Sequence, residues 1–353
     1  MKFICFLLLS FLCFGNLQAQ PADSIVSRMI FIGDAGEVHA EQAAVIKNAA
    51  GKILQHKTNV VFLGDNIYPD GMGLPGSKNE KQTEAILRSQ FIPMRKNGAT
   101  VYFIPGNHDW DNSGKNGLAK IQRQWRFLEE QHDQQLKLVP PNGCPDPIEI
   151  KVSPELTIIA FDSEWWLNSY AKKNPSGNCS CNNEKEVLDR FTLLRKRNEN
   201  KMIILASHHP FQTYGAHGGY NDVPWFGSAY HAFRKVFPSV QDVNHPLYQH
   251  MIHKISSIFD HASNVIYVAG HDHGLQYIKS NNIQVVSGSG AKTKAVFKGK
   301  NSLFADAQPG YVIADLLLNK TLRISFYTKA DGSFKKVFTQ LIYKNASNQS
   351  GFK

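Results

Sequence analysis

Five short blocks of glycine and potential metal ligands recur along the chain, and each directly follows an apolar run. Aspartate, asparagine, histidine and tyrosine supply the oxygen and imidazole donors that can hold two neighbouring metal ions. One such block alone carries little weight, but five of similar composition indicate a metal site. In chain order the blocks read Gly33-Asp34-Ala35-Gly36, Gly64-Asp65-Asn66-Ile67-Tyr68, Gly106-Asn107-His108-Asp109, Ser207-His208-His209-Pro210 and Gly270-His271-Asp272-His273.

The apolar runs before these blocks predict strands that are buried on both faces, because they are short, unbroken and rich in valine and isoleucine. Side chains at the ends of such strands converge in space although they are far apart in sequence. The glycines that begin four of the blocks permit backbone bends or close approaches. The runs cover residues 29–32, 60–63, 101–105, 202–206 and 265–269.

Between the predicted strands, apolar residues repeat at spacings of three and four, which predicts helices that each cover one face of a sheet. Strands that alternate with helices indicate an α/β fold with substantial parallel pairing. A further strand is expected at 157–161. The tail, residues 311–343, changes to strands and turns, and we expect it to complete a second sheet. The helical repeats fall within residues 43–53, 87–94, 118–128, 187–194 and 251–262.

The N-terminus predicts a signal peptide, residues 1–19. Lys2 precedes an apolar stretch at 3–14, and Leu17-Gln18-Ala19 ends on a small residue, so cleavage is expected near Ala19. The stretch is too short to span a membrane, and a retained N-terminal anchor is the alternative. The mature chain, residues 20–353, is therefore expected to be a single catalytic domain that is periplasmic or secreted, without stable membrane insertion.

Three cysteines remain after cleavage: Cys144, Cys179 and Cys181. In an oxidising compartment this number permits one disulfide and one free thiol. A bridge between Cys179 and Cys181 would close a strained ring, so Cys144 is expected to pair with one of them. A zinc site built from the three is the alternative, although no fourth ligand stands at a suitable spacing.

Composition and charge set limits on the class of protein. The 353 residues are 42% hydrophobic and 19% charged, as in an ordinary globular protein. The formal charge of +10 would attract anions such as phosphate esters, although the scattered lysines of an exported protein are the better explanation. No basic stripe interleaved with aromatic residues is present, so no nucleic-acid partner is expected. Nothing in the sequence specifies an oligomeric state.

The order and wording of the five blocks resemble the calcineurin-like metallophosphoesterases, and within them the purple acid phosphatases of the small tartrate-resistant type. The resemblance runs from about Ile30 to Gly290 and is most specific at 270–277, Gly-His-Asp-His-Gly-Leu-Gln-Tyr. Tyr68, three positions after Asp65, distinguishes the purple enzymes from other metallophosphoesterases. The resemblance implies a four-layer α/β/β/α sandwich, in which helices flank two mixed sheets.

The resemblance also implies a dinuclear centre of Fe(III) and a divalent ion. A phenolate beside two carboxylates suits trivalent iron, whereas an amide oxygen with two imidazoles suits divalent iron, zinc or manganese. Asp65 would bridge the two ions. The remaining ligands would be Asp34, Tyr68 and His273 for the first ion and Asn107, His208 and His271 for the second.

The implied activity is that of an acid phosphatase acting on small phosphomonoesters. Two metals roughly 3.5–4 Å apart polarise a phosphoryl group and generate hydroxide, which attacks phosphorus in line. His108 matches the family's substrate-binding histidine and His217 a second one, and either can act as a general acid. A loop histidine among glycines is the alternative for His217. An acid pH optimum is expected if Tyr68 binds Fe(III), because a trivalent ion keeps bound water ionised at lower pH.

Three departures from the family pattern concern the rim of the site. His209 stands where the small enzymes usually have tyrosine, and Asp109 is followed by Trp110-Asp111-Asn112. Residues 165–183, which include Trp165 and Trp166, stand where mammalian relatives carry a loop that shields the site. A phosphodiesterase or nucleotidase on the same scaffold is therefore an alternative. So is a metal-binding protein without catalysis.

Overall fold

The computed structural model describes residues 24–173, 178–220, 237–260 and 262–343. The predicted signal peptide, residues 1–19, lies outside these ranges. So does part of the expected rim loop, residues 174–177. Among the helices in the described ranges, none combines the length and the apolar character needed to cross a bilayer.

Fourteen strands within the described residues form two mixed sheets of seven strands each. Every apolar run that predicts a strand coincides with one, although the runs 101–105 and 157–161 each extend one residue past the end of the strand. The strands that the sequence analysis missed are short or carry polar residues. In chain order they are β1 (Ile25–Ile32), β2 (Thr58–Leu63), β3 (Thr100–Ile104), β4 (Leu136–Leu138), β5 (Ile148–Lys151), β6 (Leu156–Ala160), β7 (Met202–Ala206), β8 (Val265–Ala269), β9 (Leu275–Lys279), β10 (Ile283–Ser287), β11 (Ser302–Asp306), β12 (Gly310–Leu317), β13 (Leu322–Ala330) and β14 (Ser333–Ile342).

Parallel pairing at the centre of each sheet brings strand ends together. The first sheet has the order β14-β13-β12-β1-β2-β3-β4, with β1 to β4 parallel. The second has the order β11-β9-β10-β8-β7-β6-β5, with β6, β7, β8 and β10 parallel. In each sheet the carboxyl ends of these parallel strands, where the predicted ligands lie, therefore share one edge.

The C-terminal strands form as expected, but the prediction that they complete the second sheet is wrong. β12 pairs antiparallel with β1, from Ile25 opposite Leu317 to Phe31 opposite Val312, and so extends the first sheet. Without β12, the apolar strand β1 would present an unpaired edge. The middle of the chain supplies the whole of the second sheet instead.

Helices cover the outer faces of both sheets, which confirms the four-layer α/β/β/α architecture. Helices α2 and α3 contact the first sheet at β3 and β4, and the Phe191 ring of α6 packs on Phe161 at the end of β6. The α-helices in the described parts of the chain are α1 (Ala40–Ala50), α2 (Glu80–Lys96), α3 (Gly117–Glu129), α4 (Glu164–Leu167), α5 (Ser169–Lys173), α6 (Glu184–Arg197) and α7 (Pro246–Phe259).

The strand β1 shows why the runs before the ligand blocks are uniformly apolar. Met29 and Phe31 belong to the core between the sheets, whereas Ile30 and Ile32 belong to the core beneath the helices. Each such side chain stabilises the fold by roughly 1.5–3 kcal/mol relative to an exposed one. A strand that is buried on both faces therefore cannot alternate polar and apolar residues.

The segment between β6 and α6 is anchored in two ways. Trp165 and Trp166 in α4 are buried in the core beneath the helices, so they pack the loop onto the protein. Cys144 forms a disulfide with Cys179, while Cys181 is a buried free thiol. The predicted pairing of Cys144 with one of the other two cysteines is confirmed.

Candidate metal centre

The seven predicted ligands come together at the carboxyl ends of five strands, three from the first sheet and two from the second. Six of them are buried, His273 is partly exposed, and their donor atoms converge where the edges of the two sheets meet. Asp34 follows β1, Asp65 and Tyr68 follow β2, Asn107 follows β3, His208 follows β7, and His271 and His273 follow β8.

Four donor atoms form one half of the centre around the Tyr68 hydroxyl. Its Oη lies 3.1 Å from Asp34 Oδ1, 2.9 Å from Asp65 Oδ2 and 3.3 Å from His273 Nε2. His273 Nε2 lies 3.4 Å from Asp34 Oδ1. Separations of this size are those between ligands that surround one ion at roughly 2.0–2.2 Å.

The other half of the centre surrounds His208 Nε2. This atom lies 3.0 Å from Asn107 Oδ1, 3.1 Å from His271 Nδ1 and 3.4 Å from Asp65 Oδ1. Asp65 thus presents Oδ1 to one half and Oδ2 to the other. That is the position required of a carboxylate that bridges two ions.

The imidazole tautomers show that a cation fits among these atoms. His208 Nδ1 donates to the Leu63 carbonyl oxygen at 2.8 Å, and His271 Nε2 donates to the Gln241 carbonyl oxygen at 2.8 Å. In the neutral rings the other two nitrogens, His208 Nε2 and His271 Nδ1, then carry lone pairs and no hydrogen. They face each other, and His208 Nε2 also faces Asn107 Oδ1. Acceptors crowded in this way are stabilised by a positive ion that they coordinate, and the anchored tautomers aim them at it.

Burial and like charge control ionisation at the centre. Burial, reinforced by Asp65, raises the pKa of Asp34 to about 7, and burial beside the two carboxyl groups raises the pKa of Tyr68 well above its usual value. Burial and the nearby Lys294 lower the pKa of His273 to about 4. Burial opposes ionisation of Asp65, but its histidine neighbours outweigh burial and lower its pKa. A bound cation would favour the anionic form of the oxygen ligands and the neutral form of the imidazoles.

Three of the ligands have left-handed backbone conformations. The φ angles are 58° at Asp34, 52° at Asp65 and 70° at His271. Hydrogen bonds hold this geometry: the His271 amide donates to Asp34 Oδ2 at 2.8 Å, and the His108 amide donates to Asp65 Oδ1 at 3.0 Å. Such conformations cost about 1–3 kcal/mol each in non-glycine residues and cluster at functional sites.

Two histidines stand beside the centre with their side chains partly exposed. His108 Nε2 lies 3.8 Å from Asp65 Oδ2 and its Nδ1 bonds the Pro69 carbonyl oxygen. The centroid of the His217 ring lies 3.9 Å from that of His271, with the rings tilted by 31°, and His217 Nδ1 lies 3.2 Å from Asp242 Oδ1. Their side chains are 27% and 19% exposed, whereas those of Asp65 and His208 are at most 2% exposed. Both histidines are therefore accessible to a substrate at the centre.

A buried polar network supports the second half of the centre, and the sequence analysis did not identify it. His209 Nδ1 lies 2.8 Å from Ser163 Oγ, and His209 Nε2 lies 2.6 Å from Gln241 Oε1. The Gln241 amide donates to Glu164 Oε2 at 3.0 Å, and Glu164 also bonds Ser113. His209 lies among potential ligands, but both of its nitrogens are already engaged. It therefore supports its neighbours in this arrangement.

Two further aspartates hold the loops that carry the ligands. Asp109 accepts from the amides of Gly106 and Asn66 at 2.8 and 3.1 Å, which ties the loop after β3 to the loop after β2. Asp272 accepts from Thr213 and from the His217 amide, the latter at 3.0 Å. Both aspartates belong to the ligand blocks, and this position was the signal that the sequence offered for them. No sequence pattern indicated that they would accept hydrogen bonds from backbone amides.

The fold is similar to those of several solved structures. Plasmodium GAP50, described as the anchor in the inner membrane complex, matches with a TM-score of 0.57 and 16% identity over 90% of this chain and 88% of that one. PhoD matches with a TM-score of 0.56 and 12% identity over 91% of this chain and 70% of that one.

Purple acid phosphatase PPD1 from yellow lupin (Lupinus luteus) seeds is a third structure of similar fold. It matches with a TM-score of 0.54 and 14% identity, over 89% of this chain but only 53% of the lupin chain. This chain thus spans about half the length of the lupin enzyme. At such identities the three likenesses show a shared fold.

Sequence comparison identifies the family. No curated protein matches the chain significantly. The model of the calcineurin-like phosphoesterase family matches residues 27–275, which are more than two thirds of the chain and include all seven predicted ligands. With its two-sheet sandwich and its converging ligand atoms, the chain belongs to the calcineurin-like phosphoesterase family.

Proposed function

We propose that this protein is an exported phosphomonoesterase that uses two metal ions and works best at acid pH. The proposal depends above all on the orientation of Asp65: its two carboxylate oxygens face two separate groups of donor atoms. Membership of the phosphoesterase family supports phosphoester hydrolysis. The donor chemistry and the two accessible histidines support the more specific activity.

The two groups of donors differ in a way that favours two different ions. Tyr68, two carboxylates and His273 form a hard, anionic set that suits Fe(III), whereas Asn107 and two imidazoles suit a divalent ion such as iron, zinc or manganese. When bound, the pair would supply Lewis acidity that polarises a phosphoryl oxygen and lowers the pKa of water.

The residues of the chain itself bind and orient the ester. His108 and His217 are each anchored through Nδ1, to Pro69 and Asp242 respectively, which leaves Nε2 available to the phosphate group. Either imidazolium can stabilise the phosphoryl oxygens or give a proton to the departing alkoxide. Asp272 fixes the His217 backbone, so it places that ring beside His271.

Export is proposed from the signal-peptide pattern of residues 1–19, and the Cys144–Cys179 disulfide supports it. Structural disulfides persist in the periplasm and outside the cell, whereas cytosolic thiols are usually kept reduced. Detection of the mature N-terminus near Gln20 in an extracytoplasmic fraction would support export. A full-length chain confined to the cytosol would refute it.

The test is phosphate release from an aryl phosphomonoester by residues 20–353 across pH, with metal content measured in the same samples. Asp65→Ala and His208→Ala should each abolish turnover and lower the bound metal, with the fold checked by circular dichroism. Asp189→Ala and His250→Ala, at exposed positions on α6 and α7, are the matched controls. Activity that survives both site variants would refute the site.

Two further comparisons test the finer statements. A phosphodiester cleaved faster than the monoester would identify a diesterase, and bound metal without turnover on either ester would identify a binding protein. If Tyr68 binds Fe(III), the holoenzyme should absorb visible light and Tyr68→Phe should lose the band. A neutral or alkaline optimum would count against the iron.

A further inference from the structure

A cavity of about 580 Å³ lies beside the metal centre, between the loops that follow β1 and β2 and the first half of α2. Its volume falls within the roughly 300–1,000 Å³ typical of small-molecule sites. The cavity is separate from the seven candidate ligands except at one residue, Tyr68, which forms part of its wall.

Tyr68 connects the cavity to the centre. Its hydroxyl oxygen lies within 3.3 Å of donor atoms of Asp34, Asp65 and His273, while its ring lines the cavity. The Lys292 ammonium sits 3.9 Å from the centroid of the same ring. An organic group attached to a phosphate at the centre therefore has this cavity as an immediate neighbour across Tyr68.

The charge of the cavity wall shows what kind of group fits. Lys292 is paired with Glu37 at 3.0 Å, so its charge is balanced within the wall and offers no dedicated site for a second phosphate. Val38, Ala85 and Ile86 contribute apolar side chains to the wall, and Gln82 and Ser89 contribute uncharged polar ones. This wall offers no unpaired charge to a charged guest, and its apolar side chains favour an uncharged, mainly apolar one.

We propose that this cavity binds the organic group of the phosphoester, and that the group is an uncharged aromatic of about one or two rings. The inference rests on the proposed phosphoesterase function for the position of the phosphate. The aromatic class follows from the apolar wall and from Lys292, whose ammonium already lies over the Tyr68 ring and can contact a second one.

The test uses the substitution Ala85→Trp to fill the cavity. Ala85 is an exposed residue of α2 that lines the cavity. The matched control is Ala119→Trp, the same change at an exposed position of α3 that does not line the cavity. kcat/KM is measured for 2-naphthyl phosphate and for methyl phosphate. Ala85→Trp should lower kcat/KM for 2-naphthyl phosphate about tenfold or more, because the pocket for the ring is lost. It should leave kcat/KM for methyl phosphate unchanged. Ala119→Trp should change neither.

Equal losses on both esters, or no loss on either, would overturn the inference. A second measurement does not depend on turnover: binding of 2-naphthol to the metal-free proteins, followed by naphthol fluorescence. The wild type and Ala119→Trp should bind naphthol, and the affinity of Ala85→Trp should be lower by about tenfold or more. Identical affinities would overturn the inference. If the wild type hydrolyses neither ester, the proposed function fails, and naphthol binding alone decides what the cavity holds.

Discussion

His271 Nε2 donates a 2.8 Å hydrogen bond to the backbone carbonyl oxygen of Gln241. The bond fixes which nitrogen of His271 faces His208, and hence which can coordinate a metal. The Gln241 side chain is itself held by His209 and Glu164. The orientation of one ligand thus depends on a loop residue 30 positions away in sequence.

Gln241→Ala should therefore weaken metal binding although Gln241 contributes no ligand atom. Removing the side chain frees the loop and takes one hydrogen bond from each of His209 and Glu164. The expected loss in metal affinity is about 10- to 100-fold, as for other residues that orient metal ligands. Equilibrium metal titration measures it. Gln308→Ala, at an exposed turn, is the control, and equal affinities in the two variants would contradict the role of Gln241.

Substitution of two glycines, Gly64 and Gly76, can distinguish the effect of backbone strain from that of steric conflict at the centre. Gly64 has φ of +88°, and an added Cβ would lie 2.5 Å from His208 Nδ1; Gly76 has φ of +79° with no atom within 4 Å of an added Cβ. Gly76→Ala should cost about 1–2 kcal/mol of stability and keep its metal. Gly64→Ala should cost more and lose metal, because it displaces His208. Denaturant unfolding and metal analysis test both, and equal metal contents would contradict the prediction.

The Cys144–Cys179 bridge should stabilise the fold by limiting the unfolded chain. It joins residues 35 apart in sequence, for which the chain-entropy model gives about 2–4 kcal/mol. Urea unfolding of the metal-free protein should show a loss of this size when Cys144 and Cys179 are both changed to Ala. A reducing agent should destabilise the wild type and leave the double variant unaffected. An equal response of both proteins would show that the bridge contributes nothing.

Glu164 should make stability depend on pH. Burial raises its pKa to about 8 in the folded protein, from an ordinary value of 4.5, although bonds from Ser113 and Gln241 oppose the shift. Between these values the folded state keeps a proton that the unfolded state has lost. Stability therefore falls as pH rises from about 4.5 to 8, by at most about 1.4 kcal/mol per pH unit.

Glu164→Gln replaces this carboxyl group with a neutral amide that can make the same contacts. Relative to the wild type, the variant should gain stability as the pH is raised from 5 to 8, with both proteins measured free of metal. Asp34 and Asp162, whose pKa values burial raises to about 7, titrate in both proteins, so the comparison isolates Glu164 together with its interaction with Asp162. A difference that does not change with pH would rule out the titration of Glu164.

The sequence predicted the strands that carry the ligands because those strands are buried on both faces. An unbroken run such as 265–269 can be read without knowing its neighbours, and a ligand block at its end marks the shared edge of a parallel sheet. The structure brings all seven predicted ligands and both predicted histidines into one region. Their roles in metal binding and catalysis remain predictions that the variants above test.

Features that depend on distant pairing escaped prediction. β12 carries no sign that it pairs with β1, about 290 residues away, instead of joining the other sheet. Gln241 and Glu164 lie in segments without periodicity, and their importance arises from contacts with each other and with His209. The cavity beside Tyr68 is likewise made by four segments, one of which supplies Lys292, and no local pattern encodes their meeting.

The pairing of β1 with β12 sets an order of assembly. Asp34 follows β1, whose two neighbours are β2, close in sequence, and β12, among the last strands of the chain. A chain that emerges from its N-terminus can pair only one side of β1 until residue 317 is available. His273, near the opposite end of the ligand set, also comes late. The last predicted ligand and the second neighbour of β1 therefore both become available only after most of the chain has been synthesised.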